Sequence, residues 1–249
     1  DGAGNGSIAF TVPQVGGGGL QGVTGAVTLG NTGSGDITFS GASTTAFDIG
    51  GKLTVTSDGG AAAYLFTGNN PTITADGGIE FVSTGATADT ITLTDEKDLT
   101  LTANAADITV TGVVGVDGNT GEDFTISITQ TGATGGTATV GAIGTDINDV
   151  VITAPTIKLK GNITTALDEN GAGTADDDAA SIDLNGAVVV DADITLDSGN
   201  GTIDFSGALD STADAGNSLT IDSGTGTTTF NGAIGTATSG SNTKGALGT

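Results

Sequence analysis

Residues 203–233 read IDFSGALDSTADAGNSLTIDSGTGTTTFNGA, and the stretch nearly says the same thing twice. Ile203-Asp204-Phe205-Ser206-Gly207-Ala208 returns as Thr228-Thr229-Phe230-Asn231-Gly232-Ala233. Ile194-Thr195-Leu196-Asp197-Ser198-Gly199 returns as Leu219-Thr220-Ile221-Asp222-Ser223-Gly224. Leu196 to Ile221 and Phe205 to Phe230 are each 25 residues apart, and the same reading puts Leu101 25 residues before Ile126. Ile126 to Ile152 and Leu29 to Val55 are 26 apart. A fixed period in the range of about 20–50 residues marks supersecondary units that stack on one another.

Within each unit the pattern has period two. Leu53-Thr-Val-Thr, Ile91-Thr-Leu-Thr, Leu99-Thr-Leu-Thr, Ile108-Thr-Val-Thr and Ile126-Ser-Ile-Thr alternate an aliphatic residue with a hydroxyl residue. Such runs are half-buried strands rich in β-branched side chains. Gly-, Asn-, Asp- and Ser-rich stretches such as Ser57-Asp-Gly-Gly separate them as turns. No helical period appears, and Pro13, Pro71 and Pro155 sit at run edges. The expected fold is all-β: a parallel β-helix with coils of about 25 residues, as one repeat domain over 1–249. A sandwich of hairpins would also alternate but would show no such long self-similarity. The Gly-Ala pairs after Phe, at 41–42, 207–208 and 232–233, mark corners where only small residues fit. The frame weakens over 59–76 and 162–181, and the second reads as a loop insertion.

Composition narrows the function. There is no Cys, His, Met, Trp or Arg, and 29 acidic residues against five Lys give a net charge of −24. Nucleic acid is therefore a very poor partner on electrostatic grounds, and an anionic membrane surface is disfavoured for the same reason. No stretch approaches the ~20 apolar residues of a membrane-spanning helix. The opening residues 1–10, placed after the closing Leu247-Gly248-Thr249, parallel residues 219–230, with Phe10 answering Phe230. Two expectations follow: a segment of a longer solenoid, or copies associating head to tail into a filament.

Residues 201–208 (GTIDFSGA) and 218–233, with 227–235 (TTTFNGAIG) as the most specific part, resemble repeats of large secreted bacterial adhesins of the filamentous-haemagglutinin and autotransporter-passenger kind. The resemblance is clearest over 191–249. It implies a right-handed β-helix, an extracellular or bacterial cell-surface location, a non-catalytic role as structural fibre or adhesin stalk, and a cell-surface or glycan receptor.

Candidate chemistry is sparse. Asp168, Asn170, Gly173 and Asp176 fall at positions 1, 3, 6 and 9 of a calcium loop, with Asp178 close by. Ala172 and Ala179 occupy positions 5 and 12, where ligands belong, so a solvated acidic loop explains the same residues. No cofactor is expected beyond that calcium candidate. Some β-helices bind or cleave carbohydrate, and Asp191, Asp193, Asp197 and Asp204 are the carboxylates that stacking brings near one another. One Tyr and eight Phe offer few sugar platforms, and the expectation is that the chain is not an enzyme. Four Thr-x-Thr pairs (54/56, 92/94, 100/102, 109/111) would form an ice-binding ladder if stacked, or simply a solvated β-face if not.

Overall fold

The computed structural model describes residues 8–12, 23–31, 36–41, 47–57, 63–66, 71–83, 90–94, 98–116, 125–132, 135–144, 147–165, 180–212 and 217–235. Among these residues there are strands and turns and no helix. Every ladder between strands is parallel, and all strands join one sheet that winds around a narrow core. Antiparallel hairpins, the mark of the sandwich alternative, are absent among the described residues.

The ladders form three columns, visited in the same order on each turn of the chain. The first runs through Ile8, Ile37, Tyr64, Ile91, Val113, Ile143, Ile163, Leu196 and Ile221. The second runs through Phe47, Ile73, Leu101, Ile128, Ile152, Leu184, Phe205 and Phe230. The third runs through Leu53, Ile79, Ile108, Ala138, Ile157, Val188 and Leu209, and a single bridge carries it on to Ile234. Strands Ile108–Val116, Thr137–Gly144, Asp149–Leu159 and Ser181–Val190 turn a corner and serve two columns each. Pro155 sits in the register shift between Thr153 and Thr156, where a missing N–H costs no ladder bond.

Alternation decides what is inside. Leu53–Ser57 and Leu99–Ala103 bury every second residue, so Leu53, Val55, Leu99, Leu101 and Ala103 enter the core with Ser57 while the threonines between them face out. Ile203 and Phe205 are fully buried, as the period of two requires. At one end of the core Phe39, Phe47, Tyr64, Phe66 and Phe81 pack together, Phe39 and Phe66 stacking at 4.7 Å and Tyr64 meeting Phe81 edge-on at 5.4 Å. Tyr64 is tolerated there because its hydroxyl donates to the Val82 carbonyl at 2.5 Å.

The register corrects part of the sequence frame. Leu29 faces Val55, Leu196 faces Ile221 and Phe205 faces Phe230, as the repeats suggest. Leu101, however, faces Ile128 rather than Ile126, and Ile152 faces Ile128. Both slips are two residues, which returns each side chain to the same face, so hydrophobic pattern alone cannot detect them. Partner separation shrinks to 19 residues between Ala138 and Ile157 and grows to 33 between Ile163 and Leu196. Strands Ala63–Phe66 and Thr72–Ala75, in a region where the frame weakens, lie in ordinary register with their neighbours. Phe10 faces Phe39 in the first column, whereas Phe230 belongs to the second. The end-to-start sequence match therefore does not translate into one Phe column.

The corners at 207–208 and 232–233 are as narrow as expected, while Ala42 of the corner at 41–42 lies outside the described residues. A Cβ on Gly207 would lie 2.4 Å from the Gly186 carbonyl oxygen, and one on Gly232 would lie 2.2 Å from that of Gly207. Backbone stacks directly on backbone there.

Candidate functional site

Polar side chains among the described residues are used mainly between coils. Five turn residues place a side-chain oxygen against a backbone N–H of the next coil. Thr125 N donates to Asp98 Oδ1 at 3.0 Å, Thr137 N to Asp107 Oδ1 at 2.8 Å and Thr195 N to Asn162 Oδ1 at 2.9 Å. Ser218 N donates to Asp193 Oδ1 at 2.7 Å and Thr225 N to Asn200 Oδ1 at 3.2 Å. Thr125 and Thr137 open their strands, Ser218 directly precedes one, Thr195 is the second residue of its strand and Thr225 lies in a turn, so the clamps give acceptors to N–H groups at the edges of the strands. Sequence reasoning assigned such Asp and Asn residues to turn geometry and missed this role. The signal is legible in hindsight: Asp98-Leu99, Asp107-Ile108, Asn162-Ile163 and Asp193-Ile194 each set an acceptor immediately before a buried aliphatic residue.

The four carboxylates considered for glycoside chemistry are separately engaged. Asp191 meets Lys158 Nζ at 3.0 Å and Lys160 Nζ at 3.6 Å. Burial works to raise its pKa, and the hydrogen bond and charge of Lys158, the charge of Lys160 and the Thr212 hydroxyl outweigh that and hold it below the usual value. Asp193 accepts from both the N–H and the hydroxyl of Ser218, which lowers its pKa. Asp197 accepts from Gly199 N at 2.9 Å and shapes its own turn. Asp204 faces Asp183 in the second column. Burial pushes the Asp183 carboxyl up, and the charges of Asp204 and Asp149 push it further.

Opposite pH responses follow. The depressed pKa of Asp191 gives stability that is present above the unfolded carboxyl value of about 3.9 and is lost as pH falls through the lower folded value. Asp183 is the reverse: its ionised form costs stability at neutral pH, and the cost is relieved as pH falls through its raised folded value. Asp183→Asn should raise the urea midpoint at pH 7, with the gain fading in acid. Asp191→Asn should lower the midpoint at pH 7, with the loss fading in acid. Parallel urea titrations from neutral to acid pH check both signs.

Among the described residues, no three carboxylates are placed to hold a metal ion. Asp168, Asn170, Asp176 and Asp178 lie outside the described residues.

The four Thr-x-Thr pairs scatter over all three columns. Thr54 and Thr109 share the third column but are separated by Glu80; Thr92 is in the first and Thr100 in the second. Of the four, only Thr100/Thr102 is stacked with further hydroxyl residues at both of its positions: Thr74, Thr102, Thr129 and Thr153 form one rank, with Thr72, Thr100 and Ser127 in a parallel one.

No helix among the described residues is long and apolar enough to cross a membrane. Compared with known proteins, the chain matches no family model, no curated protein and no solved structure.

Proposed function

We propose that this chain is a non-catalytic structural scaffold: a right-handed parallel β-helix that serves as fibre or adhesin stalk outside the cell, on a bacterial surface. The observation that supports the reading is the use of its polar groups. Asp98, Asp107, Asn162, Asp193 and Asn200 are committed to clamping one coil to the next, and Asp191 is committed to two lysines. Side chains spent on axial cohesion suit a load-bearing rod. At roughly 4.8 Å per coil, nine strand positions in the first column correspond to about 40 Å of axial rise.

The net charge of −24 keeps such rods apart sideways. Phe230 and Ile234, the exposed large hydrophobic residues among those described, lie in the last described coil, so contact along the axis is the favoured mode of self-association. A cell-surface or glycan receptor is the partner class for the stalk.

Small-angle X-ray scattering with electron microscopy of the purified chain tests the reading. The expected particle is a rod of constant cross-section that forms end-to-end strings on concentration. A compact particle would overturn the rod; rods that never join would overturn axial association and leave the rod standing.

A further inference from the structure

The chain contains five Asn-Gly dipeptides, at Asn5, Asn170, Asn185, Asn200 and Asn231, of which the last three lie among the described residues. Asn-Gly is the dipeptide most open to intramolecular attack, because glycine puts no side chain in the way of its own backbone nitrogen. The nitrogen of Gly bonds to Cγ of Asn, ammonia leaves, and a five-membered succinimide results. Water then opens either carbonyl–nitrogen bond, giving aspartate or isoaspartate. No oxidant or reductant is involved. The step requires the Asn side chain and the following peptide to rotate toward each other, so a residue held by its neighbours reacts slowly whatever its exposure.

All three described Asn are exposed, and two are held. Asn185 Oδ1 accepts from Ser206 Oγ at 2.7 Å. Gly186 beside it lies between coils: a Cβ there would be 1.8 Å from the Ala154 carbonyl oxygen, and Gly207 rests on its other side. Asn200 Oδ1 accepts from Thr225 N at 3.2 Å and Thr225 Oγ1 at 3.1 Å, while Gly201 N, the attacking atom, donates to Ser198 O at 2.8 Å. Asn231-Gly232 occupies the same corner as Asn185-Gly186, two coils further on. Gly232 rests on Gly207 below, but no described residue is paired above it. The Asn231 backbone N–H donates to the Phe205 carbonyl at 2.9 Å, but among the described residues nothing bonds its side-chain amide, and the nearby Phe230 and Ile234 are 39% and 51% exposed.

We infer that Asn231 is a spontaneous modification site, converting to aspartate and isoaspartate while Asn185 and Asn200 are protected by the coils stacked on them. Isoaspartate inserts a methylene into the main chain at a corner where backbone lies on backbone. It also adds a carboxylate beside the exposed Phe230 and Ile234. The modification therefore loosens the last coil.

Incubation of the purified folded chain at mildly alkaline pH, followed by peptide mapping by mass spectrometry, tests the inference. A parallel sample in concentrated urea removes the structural protection. Asn231 should convert roughly ten-fold faster than Asn185 and Asn200 when folded, a ratio set by local opening of the stack, and all three should approach one rate in urea. Asn231→Gln should abolish the fast conversion while leaving the circular dichroism spectrum unchanged. Equal rates at Asn231 and Asn185 in the folded chain, or an order that persists in urea, would overturn it.

Discussion

Gly201→Ala should be among the most damaging single substitutions in this protein, at a cost of about 3 kcal/mol or more. The added Cβ would lie 1.5 Å from the Ala180 carbonyl oxygen, and the obstacle is backbone, which cannot swing aside as a side chain would. The same column continues upward, because a Cβ on Gly226 would lie 1.7 Å from the Gly201 oxygen. Displacing one coil therefore disturbs the coils on both sides. The cost comes from axial closeness and owes nothing to φ. Gly30→Ala is the control: nothing lies within 4 Å of its Cβ position. It should be neutral or stabilise by about 0.4–1 kcal/mol through the unfolded chain. Urea denaturation of both variants measures the contrast, and equal midpoints would show that the corners are wider than described.

Phe205→Ala should cost about 3–5 kcal/mol. Phe205 is fully buried and stacks on Phe230 at 4.9 Å with the rings 11° from parallel. Removing it opens a cavity that the coil cannot close, because ladders above and below fix the strand in place. Phe230→Ala removes the same ring from the end of the same column, where Phe230 is already 39% exposed. There the loss should be about 1–2 kcal/mol, close to that of partial burial alone. Stacked repeats also unfold unevenly, so hydrogen exchange coil by coil is the sharper reading. Phe205→Ala should deprotect strands 181–184 and 228–230 together, whereas Phe230→Ala should affect only the last coil. Equal losses for the two substitutions would refute the difference in burial between Phe205 and Phe230.

These two predictions differ in how visible their basis is in the sequence. The Phe205–Phe230 match was legible because the last two coils repeat almost letter for letter, including the turn between Asp222 and Thr228. The Gly207–Gly232 corner was legible for the same reason. The Ala180–Gly201–Gly226 column was not, because its lowest member is Ala and its spacing changes from 21 to 25 residues.

The candidate sites divide in the same way. Four of the five clamp residues sit before buried aliphatics, a pattern present in the letters, but the partners of all five lie 25 to 33 residues on at unequal distances. No local rule pairs Asp98 with Thr125 and Asn162 with Thr195. The carboxylates expected to meet were Asp191, Asp193, Asp197 and Asp204; the fold instead sets Asp183 against Asp204 and near Asp149. The Thr ranks of the second column likewise join residues whose spacing in sequence is irregular.

By itself the sequence determined which side of each strand faces inward, since alternation of aliphatic and hydroxyl residues allows only one apolar face. It also determined that turns would be small and that the strands would stack without disulfides. Only the tertiary structure decided which coil position lies over which. A two-residue slip preserves every inward face, so Leu101 could as well have met Ile126 as Ile128. What selects among such registers is the closure of three columns at once, with each corner glycine seated on backbone and each turn carboxylate or amide reaching an N–H in the neighbouring coil. Those contacts exist only between coils, and no single window of the chain contains both partners.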